Sequence, residues 1–179
     1  MTQLRSMLAL ALGLWTMGAA VAAEQDSDGD GLPDRVERLL GTPPDRAQNW
    51  TVFWTRDAKA AAGKTEPQMM RAAVAHVAED RFVWRVDWSE PFPAGGSLLV
   101  YVDADNRKDT GRQDSGSVTG TDLMYHCAGT SSVTYHGEFQ KGQPTPLRTE
   151  VFGNSIVFCH DAPLHCEGQV AVVRVSVLA

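Results

Sequence analysis

From Asp26 to Glu37 the chain reads Asp-Ser-Asp-Gly-Asp-Gly-Leu-Pro-Asp-Arg-Val-Glu. Counted from Asp26, carboxylates stand at positions 1, 3, 5, 9 and 12, and a glycine, Gly31, stands at position 6. Alternate positions of a tightly wound loop point inward together, and calcium takes about six to eight hard oxygens arranged in this way. The spacing therefore assigns Asp26, Asp28, Asp30, Asp34 and Glu37 as side-chain ligands, with the backbone carbonyl of Leu32 at position 7 as one more. Gly31 permits the sharp turn, and Glu37 can close the shell with both oxygens. The competing reading is an acidic, glycine-rich linker that stays solvated, which leaves the joint match of spacing and glycine unexplained. Acidic residues crowd the stretch from Glu24 to Glu37, with Arg35 and Arg38 beside them. Without a cation they repel one another, so binding and ordering of the segment are expected to be coupled.

A second acidic loop runs from Tyr101 to Gly111. Asp103, Asp105 and Asp109 could surround a cation there, with Asp122 or Asn106 filling the shell. Alternatively, Arg107 and Lys108 neutralise these carboxylates while short polar side chains satisfy turn backbone. Both readings stand at this point. The stretch Cys159-His160-Asp161-Ala162-Pro163-Leu164-His165-Cys166 also has two readings. Cys159 and Cys166 can form a disulfide across a small turn, or the cysteines and histidines can bind zinc or copper. Adjacent Cys-His pairs point apart on a strand, which disfavours the metal. His126-Cys127 joins such a cluster only if its strand lies beside this loop.

Known catalytic patterns are missing: there is no Gly-x-Ser-x-Gly elbow, no His-Glu-x-x-His and no phosphate-cradling glycine loop. Glu90 and Glu138 could be imagined as a glycosidase pair, but nothing in the sequence sets their separation. A cysteine nucleophile would require Cys127 to be free beside a base such as His136. Enzyme activity is not expected.

The stretch Asp26 to Thr42, with its Gly-Leu-Pro-Asp and its Leu-Gly-Thr ending, resembles the calcium-binding thrombospondin type 3-like repeats of secreted bacterial proteins. It is similar, more loosely, to dockerin and EF-hand loops. The resemblance implies aspartate ligands at Asp26, Asp28 and Asp30, followed by Asp34 and Glu37. It departs from the family in occurring once and in reading Pro43-Pro44-Asp45 where aspartate-proline is usual. No helix precedes the loop, so a paired EF-hand sensor is not expected. Farther on, Leu-Val-Tyr-Val-Asp-Ala-Asp-Asn, Thr-Gly and Gly-Thr-Asp look like extracellular β-sandwich modules related to carbohydrate-binding and DOMON-type domains, over residues 70–179. That resemblance implies a binding or display module whose partner is a carbohydrate or a cell-surface protein.

Positioning these residues requires two kinds of element. A short helix is expected from Pro33 or Asp34 to Leu40, with Val36, Leu39 and Leu40 as its apolar stripe and Gly41-Thr42-Pro43-Pro44 as its stop. From Asn49 onward the period is that of strands: Trp50–Thr55, Met69–Val77, Phe82–Trp88, Ser97–Val102, Asp122–Cys127, Ser131–His136, Leu147–Phe152, Ser155–Cys159 and Gln169–Leu178. Ala58 to Thr65 reads as a loop or a single helical turn. Alanines in 69–77 favour helix by propensity, but Met70, Ala72 and Val74 alternate, and Glu79-Asp80 makes a natural turn. The whole predicts a mainly β fold, an antiparallel β-sandwich over residues 49–179 preceded by a calcium-binding loop and helix over 24–48. Trp84 and Trp88 belong to its core rather than to a sugar-stacking surface.

The 179 residues suit one domain, and a hydrophobic fraction of 43% with five tryptophans supports a real core. The net charge of −6 and the lack of basic residues interleaved with aromatics argue against a nucleic-acid groove. Residues 1–23 have a secretory signal layout: Arg5, an apolar run from Met7 to Trp15, and small residues ending at Ala22-Ala23. The mature chain is thus expected to be secreted, periplasmic or on the outer cell surface, with no later membrane-spanning segment. The three cysteines, Cys127, Cys159 and Cys166, leave one over after a pairing. That leaves a free thiol, pairing outside this chain, or a sequence continuing past the strand-like end Val173–Ala179. The functional expectation is an exported calcium-binding structural or ligand-binding module; the alternative is an extracellular carbohydrate-active enzyme or its accessory domain.

Overall fold

The computed structural model describes residues 24–178 other than 65, 79–80, 93–94, 104, 106, 114–118, 129–132, 137–144 and 161–170. The expected leader, residues 1–23, and the loop carrying His165 and Cys166 therefore lie outside the described residues.

Alternation along the central strands sends side chains to two different interiors. Strand β3 (Arg81–Trp88) pairs antiparallel with β8 (Ser155–His160), setting Trp84 opposite Phe158 and Val83 opposite Cys159. Trp84, Val86 and Trp88 of β3, with Ile156 and Phe158 of β8, enter one core. They meet Leu98, Val100 and Val102 of β4 (Ser97–Asp103) and Leu123, Tyr125 and Cys127 of β5 (Leu123–Cys127) there. The Trp84 and Phe158 rings stack 6.1 Å apart. Two antiparallel sheets thus face one another across a shared interior, and the fold is mainly β as the alternation predicts.

The remaining strands are β1 (Thr51–Thr55), β2 (Met69–Ala78), β6 (Val133–His136), β7 (Thr145–Phe152) and β9 (Ala171–Leu178). In space the order is β1-β2-β3-β8-β7-β6-β5-β4-β9, antiparallel at every pairing. Strand β7 belongs to both sheets: Leu147–Phe152 pair with β8, while Thr145 and Pro146 pair with β6. The two sheets are joined along this strand and remain open at β1 and β9. The alanine-rich 69–78 segment is a strand because pairing on both sides, with β1 and β3, outweighs its helical propensity. Ala58–Ala61 forms a single helical turn, α2.

The other faces of Val83, Val157 and Cys159 point away from the sandwich, and the N-terminal segment covers them. Helix α1 (Asp34–Leu40) places Val36 and Leu40 on this surface, and Leu32 extends the row by one turn. All three are fully buried, worth roughly 1.5–3 kcal/mol each. The expected stripe needs one correction: Leu39 is 43% exposed. Residues 32, 36 and 40 form one i, i+4, i+8 row, and Leu39 sits about a quarter-turn off it. Gly41, at φ 76°, ends the helix; its N–H donates to Arg38 O, and Thr42 N–H donates to Glu37 O at 2.9 Å. This is the Schellman arrangement. Among the described residues no helix is long and apolar enough to cross a membrane.

Candidate metal centre

The chain from Asp26 to Leu32 winds so that carboxylates cap its own amides. Asp26 accepts from Gly29 N–H at 2.8 Å on Oδ1 and from Gly31 N–H at 3.0 Å on Oδ2. Asp28 Oδ1 accepts from Asp30 N–H at 3.2 Å, and Asp30 Oδ1 from Leu32 N–H at 2.8 Å. Gly29 and Gly31 make this winding possible with φ of 76° and 87°, which side chains on Cβ resist. As a result Asp26, Asp28 and Asp30 each offer an oxygen within 4.8 Å of the others, an arrangement that could hold a metal ion.

Glu37, one turn into α1, is fully buried, and neither of its oxygens accepts a hydrogen bond. Burial pushes its carboxyl up to about 7, and repulsion from Asp28 and Asp30 adds to this; the Gln48 amide acts in the opposite direction. Asp28 Oδ2 is likewise buried without a partner, and its carboxyl is raised chiefly by desolvation. A carboxylate left so is costly unless it is protonated or meets a cation. Glu37 lies outside the tight 4.8 Å group of three, but it repels that group's charges and shares its need for a positive partner.

Asp34 is placed differently. Its Oδ1 accepts from Ser27 N–H at 2.8 Å and its Oδ2 from Ser27 Oγ–H at 2.9 Å, with Arg38 3.8 Å away. It ties the start of the helix to the start of the loop rather than joining the three aspartates. Leu32 sinks its side chain beneath the helix. Three arginines on the sheet hold the segment down, a feature the loop pattern gives no hint of. Arg85 donates to Gly31 O at 2.8 Å, Arg81 to Leu40 O at 3.1 Å and Arg148 to Leu39 O at 3.3 Å. The last two satisfy carbonyls at the helix C-terminus, where cations are favoured. Arg35 adds an ion pair to Glu150 of β7.

In the second acidic loop the structure gathers Asp103, Asp105 and Asp122 within 4.8 Å, again a group that could hold a metal. Asp109 is not among them; it is exposed and pairs with Arg107 at 3.0 Å, which holds its carboxyl below the usual range. Here, as in the first loop, protein donors meet carboxylates of the group. Arg107 N–H donates to Asp103 and Asp105, and Thr110 Oγ–H to Asp105. Asn106 lies outside the described residues.

Cys159 is buried on the face beneath α1, with Arg81 Nη2 3.6 Å from its sulfur. Its expected partner, Cys166, lies outside the described residues; no disulfide joins Cys159 to Cys127. Cys127 is buried in the sandwich core, and burial pushes its thiol well above the ordinary range. Such a thiol is a poor nucleophile. Trp84 and Trp88 are core residues, as expected. Comparison of the chain with protein-family models, with characterised proteins and with solved structures finds no match.

Proposed function

We propose that residues 26–37 bind calcium and that the protein is an exported structural or ligand-binding module without a catalytic centre, whose N-terminal segment the ion orders against a β-sandwich. The observation that carries this reading is Glu37: a fully buried carboxylate with both oxygens unpartnered, facing two further carboxylates. An all-oxygen, carboxylate-rich loop favours calcium over zinc or copper, which prefer nitrogen and sulfur donors. Magnesium keeps most of its waters and is not usually caged by protein oxygens alone. The secretory layout of residues 1–23 supports placement outside the cytosol, where calcium is abundant and a Cys159–Cys166 disulfide would persist.

Calorimetric calcium titration of the mature chain against an Asp28→Ala, Asp30→Ala variant tests the assignment. At least one site is expected to vanish in the variant. Unchanged stoichiometry would defeat the reading.

A further inference from the structure

Among the described residues, four buried carboxylate or amide oxygens lack any hydrogen-bond partner: Asp28 Oδ2, Glu37 Oε1, Glu37 Oε2 and Gln48 Oε1. The first three belong to the acidic loop pattern. The fourth does not; Gln48 lies in the connection between α1 and β1, outside any twelve-residue template.

We propose that Gln48 is a ligand of the same cation, supplying its side-chain carbonyl oxygen from outside the loop; this rests on reading residues 26–37 as a calcium site. The residue is held in place from two directions. Its backbone N–H donates to Asp30 Oδ2 at 2.8 Å, which ties it to one of the clustered carboxylates. Its side-chain Nε2 donates to Arg46 O at 3.0 Å, which fixes which end of the amide is nitrogen and leaves Oε1 as the free end. Gln48 is only 8% exposed, and its amide lies close enough to Glu37 to draw that carboxyl down. A buried amide oxygen with no donor costs about 1–3 kcal/mol. The ionisable groups that Gln48 meets, Asp30 and Glu37, are carboxylates, themselves acceptors when ionised, so a cation answers the need of Oε1.

Charge and shell counting point the same way. Asp26, Asp28, Asp30 and Glu37 already bring four negative charges to one divalent ion. Any further oxygen is better neutral, and calcium readily takes amide carbonyls. Asp34, which the spacing would place in the shell, stands outside the group of three aspartates. Gln48 offers a neutral oxygen to the same group, without added repulsion.

The test uses calcium and terbium(III), a luminescent substitute of similar size, on the mature chain and on Gln48→Met, which keeps the bulk but removes the hard oxygen. Luminescence lifetimes in light and heavy water count the waters on the bound ion. Gln48→Met should add one water and weaken calcium by about tenfold. An unchanged water count overturns the proposal, including the case in which Gln48 acts only through a bridging water. Should the variant not fold, the side-chain carbonyl carbon of Gln48 is followed by NMR in the wild-type chain. It should shift on calcium addition, and a resonance that stays put overturns the proposal. Wild-type protein that binds neither ion overturns the site assignment itself, an outcome distinct from binding with no change at Gln48.

Discussion

At the scale of single residues, Glu37 concentrates the energetics of the candidate site. In the calcium-free protein its carboxyl titrates at about 7, against an ordinary value of 4.5. Unfolded chains lose this proton near the lower value and folded ones near the higher. The stability supplied by this group is therefore full below about pH 4.5 and is lost as pH rises to about 7, a loss on the order of 3 kcal/mol. Glu37→Gln removes the charge while keeping the shape. In chelator, at pH 8, that variant should melt above wild type, and the two should converge near pH 4.5. Calcium binding should show the opposite ranking, with Glu37→Gln at least tenfold weaker. For wild type, a competing proton should make calcium about tenfold weaker at pH 6 than at pH 8. A pH-independent calcium affinity between these values would show that Glu37 does not face the ion.

Residue types and spacing made the gathering of Asp26, Asp28 and Asp30 legible in advance, because alternate positions of a tightly wound loop turn inward together. The Ser27 contacts of Asp34 and the return of Gln48 to Asp30 were not legible. Asp34 occupies a ligand position in the linear pattern, but a serine hydroxyl and amide seven residues earlier claim it. Gln48 returns to the loop only because the chain turns back after α1, which no local spacing encodes.

At the scale of elements, α1 works as a two-sided part. One side carries Glu37 toward the aspartates, and the other carries Val36 and Leu40, with Leu32, into the groove over β3 and β8. Leu40→Ala should cost about 2–5 kcal/mol and should weaken calcium as well, since the helix that presents Glu37 loses its seat. Gly41→Ala attacks the same element from its end. A Cβ there would lie 2.8 Å from Arg148 Nη1 at a φ that L-residues rarely adopt. A loss of about 1 kcal/mol or more is expected from urea titration. Wild-type stability in Gly41→Ala would mean that this helix end is not packed as described.

The strands were readable because β3, β4 and β5 alternate between buried and half-buried residues, while Ile156–Cys159 of β8, buried on both faces, reads as a short apolar run. The helix stripe was misjudged at Leu39 because the row that counts begins before the helix, at Leu32. The arginines of β3 and β7 that grip the segment, Arg81, Arg85 and Arg148, sit on outward-facing strand positions. By sequence alone such positions look like ordinary solvated surface.

Across the whole molecule, one layer beyond the usual two is present. The sandwich has its interior between the sheets, and the loop-helix segment makes a second, smaller interior on the outer face of β3 and β8. That second interior is what separates this chain from a sandwich with a tethered acidic tail. In calcium, amide hydrogens of 32–42 should exchange nearly as slowly as those of β3. After chelation they should open well before the sheet does. Exchange in 32–42 that ignores chelation would sever the link between ion and fold.

Since Arg85 reaches from the sheet to the Gly31 carbonyl inside the loop, while Asp87 and Ser155 steady its other nitrogens, the calcium affinity proposed for the loop would be a property of the β-sheet too. Reciprocity then runs both ways: whatever pries Leu32 and Leu40 from their seat must loosen the ion by the same factor that chelation loosens the seat. A binding partner that lifted this segment would discharge its calcium, and in calcium-rich surroundings the same mass action would resist the lift, by about 2.7 kcal/mol when the ion stands at a hundred times its dissociation constant.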